Sequence, residues 1–279
     1  MSEKAKAKAK AKVRLDTLLV DRGYFDSREK AQRALMAGQI RSEGKCLDKP
    51  GMKVACDIAL EVLGEVHPYV SRGGLKLEKA LREFEIDPTG RIALDIGAST
   101  GGFTDCLLQF GAAKVYAVDV GYGQLAWKLR GNSHVMVFER MNARYLDPAL
   151  FDPLPDLVVA DVSFISLAKI FPSITACLAG AGPVITLIKP QFEAGPELVG
   201  KNGVVRDATV QRDVILSVIR SAADFGFALD KITGSPIKGP QGNIEFLAMW
   251  HRGPYREPDA DYIASVVEKT RCETEFGKP

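Results

Sequence analysis

Asp95, Asp119, Asp161 and Lys189 each stand at the end of a short apolar run rich in branched residues. Such runs read as buried strands, so all four side chains are expected at the carboxyl ends of strands. A carboxylate in that place can accept both hydroxyls of a bound ribose, and Asp119, 24 positions after Asp95, is the residue placed to do so. A lysine can take a proton near neutral pH when burial or a neighbouring cation lowers its pKa. Lys189 and Lys76 could supply such a pair, with Asp161 and Glu245 orienting them and balancing their charge. This set suits a hydroxyl whose own pKa lies far above neutrality, as that of a ribose does. The proton must then leave as the electrophile arrives.

The turn after Asp95 is built from small residues: Gly97, Ala98, Ser99, Thr100, Gly101 and Gly102. It joins a strand over Ile92–Ile96 to a helix over Phe103–Phe110, which Gly111 stops, and a second strand follows at Lys114–Val118. Small residues at the first turn of such a unit let backbone N–H groups approach a ligand, and the helix start adds positive potential. The spacing is D-x-G-x-S-x-G-G, not the G-x-G-x-x-G of dinucleotide binders. Asp95 beside this turn would repel a pyrophosphate and attract an ammonium, which favours S-adenosylmethionine over NAD. Gln124 would border the adenosine, and Asn142 and Asp161, after the third and fourth strands, complete the candidate cofactor set.

Further strands are expected over 135–139, 156–160, 184–188, 231–236 and 244–250, with helices within 71–86, beginning near Gly74, and over 209–225. Strands alternating with helices across residues 91–252 argue for an α/β, doubly wound, Rossmann-like sheet. Lys76 falls in the first turn of its helix, where the dipole disfavours a cation, so another group should hold it there. The element after the fourth strand, Asp161-Val162-Ser163-Phe164, lacks the prolines common in enzymes that methylate a base amine. None of the five cysteines stands there to attack a cytosine carbon.

The length is enough for two domains. The odd cysteine count, without C-x-x-C spacing, argues for reduced thiols in a cytosol and against a disulfide framework or a zinc site; no metal is expected. No run of about 18 apolar residues predicts a transmembrane helix, and the basic N-terminus lacks the apolar stretch of a secretory signal. A cytoplasmic protein is expected. Net charge is only +2, but basic residues crowd residues 1–60, which suggests a polyanion contact at the front of the chain.

Five segments follow: a basic Lys-Ala tail at 1–12, a small α+β domain at 13–63, a linker at 64–70, the doubly wound domain at 71–252 and a C-terminal extension at 253–279 with one amphipathic helix. Segment 13–63 carries R-L-D-x-L-L, S-R-x-x-A, A-G-x-I and G-K, and resembles the S4 RNA-binding module. Arg14, Arg28, Lys30, Arg33 and Arg41 lie on or between its helices and are the candidate RNA contacts, because arginine donors suit phosphates and stacked bases.

Lys76 in S-R-G-G-x-K-L, Asp161 in A-D-V-S-F-I-S-L, Lys189 in I-K-P-Q-F-E and Glu245 in G-N-I-E look like the Lys-Asp-Lys-Glu tetrad of RrmJ/FtsJ-type ribose 2′-O-methyltransferases. With an S4 module in front, the chain resembles the TlyA family of bacterial ribosomal RNA methyltransferases, also called haemolysin A. The resemblance covers residues 13 to about 250. It implies S-adenosylmethionine-dependent 2′-O-methylation of a cytidine in ribosomal RNA, and ribosomal RNA or subunits as partners. Two other classes compete: an RNA-binding assembly factor with an inert site, and a membrane-active haemolysin, for which the sequence offers no strongly hydrophobic helix.

Overall fold

The computed structural model describes residues 12–25, 27–36, 38–63 and 67–276. The chain forms two compact units that part between Pro68 and Tyr69. The basic tail, apart from Lys12, and residues 64–66 of the expected linker lie outside the described residues.

The first unit runs β1 (Lys12–Arg14), α1 (Leu15–Asp21), α2 (Arg28–Met36), β2 (Ile40–Ser42), β3 (Lys45–Cys46), β4 (Lys53–Ala55) and β5 (Glu61–Val62). Its core is Leu15, Leu18 and Leu19 of α1 against Ala31, Ala34 and Leu35 of α2, the helical spacing seen in the sequence. The Ser27 hydroxyl accepts from the Lys30 amide at 3.3 Å, as an N-cap should. β1 pairs antiparallel with β4, and β2 pairs with β3 and β5. Neither β1 nor β4 is foreseen from the sequence. Each is three residues with one apolar centre, too short to show a period of two.

The second unit runs α3 (Gly73–Phe84), β6 (Ile92–Ile96), α4 (Gly102–Gln109), β7 (Lys114–Val118), α5 (Trp127–Arg130), β8 (Val135–Phe138), β9 (Leu157–Ala160), α6 (Phe171–Cys177), β10 (Val184–Ile188), α7 (Pro190–Glu193), α8 (Ala208–Ala223), β11 (Phe227–Gly234), β12 (Phe246–Arg252) and α9 (Ala260–Phe276). Its strands order as β8-β7-β6-β9-β10-β12-β11 in one sheet. β6 to β10 and β8 are parallel, while β12 runs antiparallel to β10 and to β11. The order reverses between β6 and β9, and at that switch point α/β sheets open a crevice beyond their carboxyl ends.

Side chains alternate across the sheet. Leu94 and Ile96 face Phe171 and Ile215 of α6 and α8, while Ala93 faces Leu77 and Phe103 of α3 and α4. Burying each such large side chain contributes about 1.5–3 kcal/mol. The C-terminal helix α9 packs on α8 and β11 and belongs to the second unit. β11 begins at Phe227, ahead of the expected 231, because its pairing with β12 shifts register between Leu229 and Lys231. That irregularity interrupts the alternation by which a strand is recognised. β12 begins at Phe246, so Glu245 stands just before the strand instead of within it.

Candidate active site

Four strand or helix ends meet at the crevice. Ile188 and Phe246 are register partners on β10 and β12, so Lys189 leaves one strand where Glu245 enters its antiparallel neighbour. Asp161 follows β9, which lies beside β10. Lys76 reaches in from the first turn of α3, and what holds it there is a carboxylate: its Nζ lies 2.5 Å from Glu245 Oε2 and 3.9 Å from Asp161 Oδ2. Asp161 Oδ1 in turn lies 2.5 Å from Lys189 Nζ. The side chains thus form a chain of alternating charge, Glu245, Lys76, Asp161, Lys189. Glu245 is 1% exposed and the two lysines are 7% exposed each. Ionised groups so deeply buried persist only when paired, and each has a partner of opposite sign. Asp161 retains more solvent contact than the other three, its side chain 20% exposed at the cleft.

Two adjoining clefts open at this end of the sheet. One, about 550 Å³, is lined by Gly97, Ser99, Asp119, Gln124, Asn142 and Asp161 among others, and its volume falls in the range of small-molecule sites. The other is lined by Ala98, Thr100 and Gly102 and by the cationic side chains of Arg72, Lys76, Lys189 and Lys238. Gly97, Ser99, Asp161 and Ser163 belong to both walls. Asp119 at the rim of the first cleft is fixed by two backbone amides: Ser99 N donates to Oδ2 at 2.8 Å and Gly121 N to Oδ1 at 2.6 Å. Gly97 has φ +86, and a Cβ there would stand 2.5 Å from the Asp161 carbonyl oxygen. The turn and the end of β9 are therefore as close as backbone allows. These features fit a nucleoside carrying a short polar chain.

Two of the sequence-selected cofactor residues line neither cleft. Gly101, φ +98, packs so that a Cβ would meet Leu129 Cδ1 at 2.3 Å. Asp95 is fully buried beneath the turn, where its Oδ2 accepts from the Thr104 hydroxyl at 2.6 Å and its Oδ1 has no partner. Burial, reinforced by the nearby Asp161 and Asp119 charges, pushes its carboxyl up to about 7. The expected attraction of an ammonium to a surface carboxylate is thus not what the geometry offers.

Several residues of the site escape the sequence reading. Ser163 Oγ accepts from Lys189 Nζ at 2.9 Å, and Gln191 Nε2 donates to Glu245 Oε1 at 3.4 Å. The Glu193 carboxylate accepts from the Leu167 amide at 2.8 Å and so ties α7 to the loop after β9. Burial pushes that carboxyl up. Phe164, φ +63, is 90% exposed and packs its ring 4.9 Å from that of Phe192. Ser163 and Phe164 both lie in the motif carrying Asp161, and Gln191, Phe192 and Glu193 in the motif carrying Lys189. Membership in those motifs was the available signal.

In the first unit, Arg14 and Arg28 converge on a buried acid. Asp16, 0% exposed, accepts from Arg14 Nε at 3.0 Å and Nη2 at 2.8 Å, from Arg28 Nη2 at 3.1 Å and from Gln32 Nε2 at 2.8 Å. The hydrogen bonds from Arg14 above all hold its carboxyl well below the usual carboxylate range, against the cost of burial. Arg33 and Arg41 are exposed, and Lys30 is half-buried.

A doubly wound sheet with a small-residue turn, an acid at the end of its second strand and a lysine–carboxylate chain at its switch point is the arrangement of a Rossmann-like α/β enzyme. Residues 69–252 match the FtsJ-like methyltransferases and residues 13–55 the S4 domain. The chain belongs to the FtsJ-like methyltransferase family, with an S4 domain preceding the catalytic unit. A Bacillus subtilis protein provisionally described as rRNA methyltransferase YqxC is 53% identical over 85% of both chains. The Mycobacterium tuberculosis 16S/23S rRNA (cytidine-2′-O)-methyltransferase TlyA is 45% identical over 86% of this chain and 89% of its own. A solved Streptococcus thermophilus structure, provisionally described as a haemolysin, superposes with a TM-score of 0.75 at 46% identity, covering 95% of this chain and 98% of that one. Among the described residues no helix is long and apolar enough to cross a membrane, and no group of His, Cys, Asp and Glu could hold a metal ion.

Proposed function

We propose that this protein methylates the 2′-hydroxyl of a cytidine ribose in ribosomal RNA, in the cytoplasm. S-adenosylmethionine, the expected cofactor, supplies the methyl group as a sulfonium electrophile. The observation that carries the reading is the buried alternation of Glu245, Lys76, Asp161 and Lys189 at the wall shared by the two clefts. Asp119 binds the cofactor ribose, and the turn from Gly97 to Gly102 passes beneath its amino-acid part. Lys189 takes the ribose proton. Asp161 holds the Lys189 amine, and Lys76 sets a positive charge on the far side of Asp161. Glu245 offsets Lys76 and helps place the substrate ribose, one of its oxygens accepting from Lys76 and the other from Gln191.

The cationic wall of the second cleft suits a ribose-phosphate backbone. Phe164, exposed at the mouth, offers a ring face to an unstacked base. Arg14, Arg28, Lys30, Arg33 and Arg41 of the S4 unit contact RNA elsewhere.

The test is methyl transfer from labelled S-adenosylmethionine to ribosomal subunits and to free ribosomal RNA lacking the modification, followed by mapping of the product. A labelled cytidine that resists alkaline cleavage at its 3′ side is expected. No transfer to any ribosomal RNA, with RNA binding intact, would make the protein a binding factor and sink the reading.

A further inference from the structure

Lys189 Nζ donates one hydrogen bond, to Ser163 Oγ at 2.9 Å, and forms an ion pair with Asp161 Oδ1 at 2.5 Å that lies outside hydrogen-bond geometry. A neutral primary amine carries two N–H bonds and one lone pair, arranged tetrahedrally about nitrogen with the Cε bond. With Asp161 alone beside it, held by charge and not by a directed hydrogen bond, the amine could rotate about its Cε–Nζ bond and the lone pair would have no fixed direction. The bond to Ser163 stops that rotation, and the Asp161 charge draws the other N–H toward itself, which leaves the lone pair the third position. The only other contact of Lys189 Nζ among the described residues is the Phe192 ring, 5.9 Å to its centroid, which is too far and too diffuse to set that direction.

We infer that Ser163 is a positioning residue that fixes the direction of the Lys189 lone pair, and with it the line along which the ribose proton leaves. The inference rests on the 2′-O-methylation proposed above. As the ribose oxygen bonds the methyl carbon, the sulfonium–carbon bond breaks with its electron pair left on sulfur. The O–H bond then breaks toward Nζ, which ends as an ammonium with three N–H groups.

A second observation places Ser163 at the point of transfer. It is one of the few residues that line both clefts, so its hydroxyl stands where cofactor and ribose must meet. Its position is set by backbone: Asp161 N donates to Ile96 O at 2.9 Å, Val162 turns inward and is buried, and Ser163 turns outward and is exposed. A side chain so placed contributes little packing, and loss of its hydroxyl opens no cavity.

The test compares Ser163→Ala and Ser163→Thr with the unmodified full chain, using S-adenosylmethionine and the ribosomal RNA substrate. In single-turnover and steady-state assays, Ser163→Ala should lower kcat roughly ten- to a hundredfold, part of the ~10²–10⁴-fold effect of a positioned base. KM for both substrates should stay within about twofold, as expected for a group that acts only in the transition state. The ascending limb of the kcat–pH profile should move in the alanine variant. Ser163→Thr, which keeps the hydroxyl, should restore rate and profile together. An alanine variant with near-normal kcat, or one with raised KM for RNA at unchanged kcat, overturns the inference. So does an unmoved pH profile. Failure of the parent reading shows separately, as an unmodified chain that transfers no methyl group to any ribosomal RNA.

Discussion

Asp16→Asn exposes how much of the first unit depends on one buried charge. The carboxylate is 0% exposed and accepts from Arg14 through two nitrogens, from Arg28, from Gln32 and from the Thr17 amide at 2.9 Å. Asparagine keeps one acceptor oxygen and turns an NH₂ group toward donors. Hydrogen bonds to a charged group contribute about 1.5–3 kcal/mol when fully formed. The arginine side chains are 48% and 54% exposed, so water replaces part of what is lost. Discounted for that screening, the substitution should cost about 1–3 kcal/mol at pH 7. The sign with pH follows from the depressed carboxyl. Its contribution is complete above the unfolded pKa of about 3.9 and is lost as pH falls through the lower folded value. The gap between wild type and variant should therefore be full at pH 7 and narrow as pH falls below about 4. Native-state hydrogen exchange of α1 and α2 amides in the full chain measures it. Equal protection at pH 7, or a gap that widens on acidification, refutes the reasoning. RNA affinity gives a second sign: the variant loses one negative charge, so simple attraction tightens binding, whereas loss of two fixed guanidinium groups weakens it. Weaker binding is expected.

Asp119→Ala should lower affinity for S-adenosylmethionine by about 1–3 kcal/mol, read by calorimetry; unchanged binding removes Asp119 from the cofactor site. Lys189→Ala should abolish turnover while RNA and cofactor still bind. Lys189→Arg should fail equally, because a guanidinium holds its proton near neutral pH, and near-normal turnover in that variant would leave Lys189 only a charge or orienting role. Gly97→Ala places a methyl group 2.5 Å from the Asp161 carbonyl at φ +86, so it should cost about 1–3 kcal/mol of stability and weaken cofactor binding, and a variant with an unchanged melting curve and titration would refute the close approach.

The parallel half of the sheet was legible because its strands are short apolar runs, two of them followed at once by an ionisable residue, as Leu157–Ala160 by Asp161 and Val184–Ile188 by Lys189. Lys76 drew attention as a cation at the wrong end of a helix, and the structure supplies the carboxylate that this oddity demanded. What the sequence hid depends on the third dimension. The depth of Asp95 reflects the inward direction of one side chain on β6, which short spacing could not separate from a cleft-facing one. The left-handed conformation of Phe164 is unusual for an aromatic residue, so composition argues against it. The bond from Lys189 to Ser163 spans 26 positions, and the commitment of Arg14 and Arg28 to Asp16 needs α1 and α2 already packed.

Lys76 and its carboxylate partner are separated by 169 positions, and Glu245 immediately precedes β12, the last of the sheet's strands in chain order. At roughly 5–20 residues per second, a ribosome making this chain needs about 10–30 s to travel from one to the other. Through that interval the early lysine has no Glu245 to meet, and the crevice lacks one of its walls. The S4 segment leaves the exit tunnel long before. A nascent chain therefore carries its whole S4 segment well before the carboxylate that pairs with Lys76 has been made.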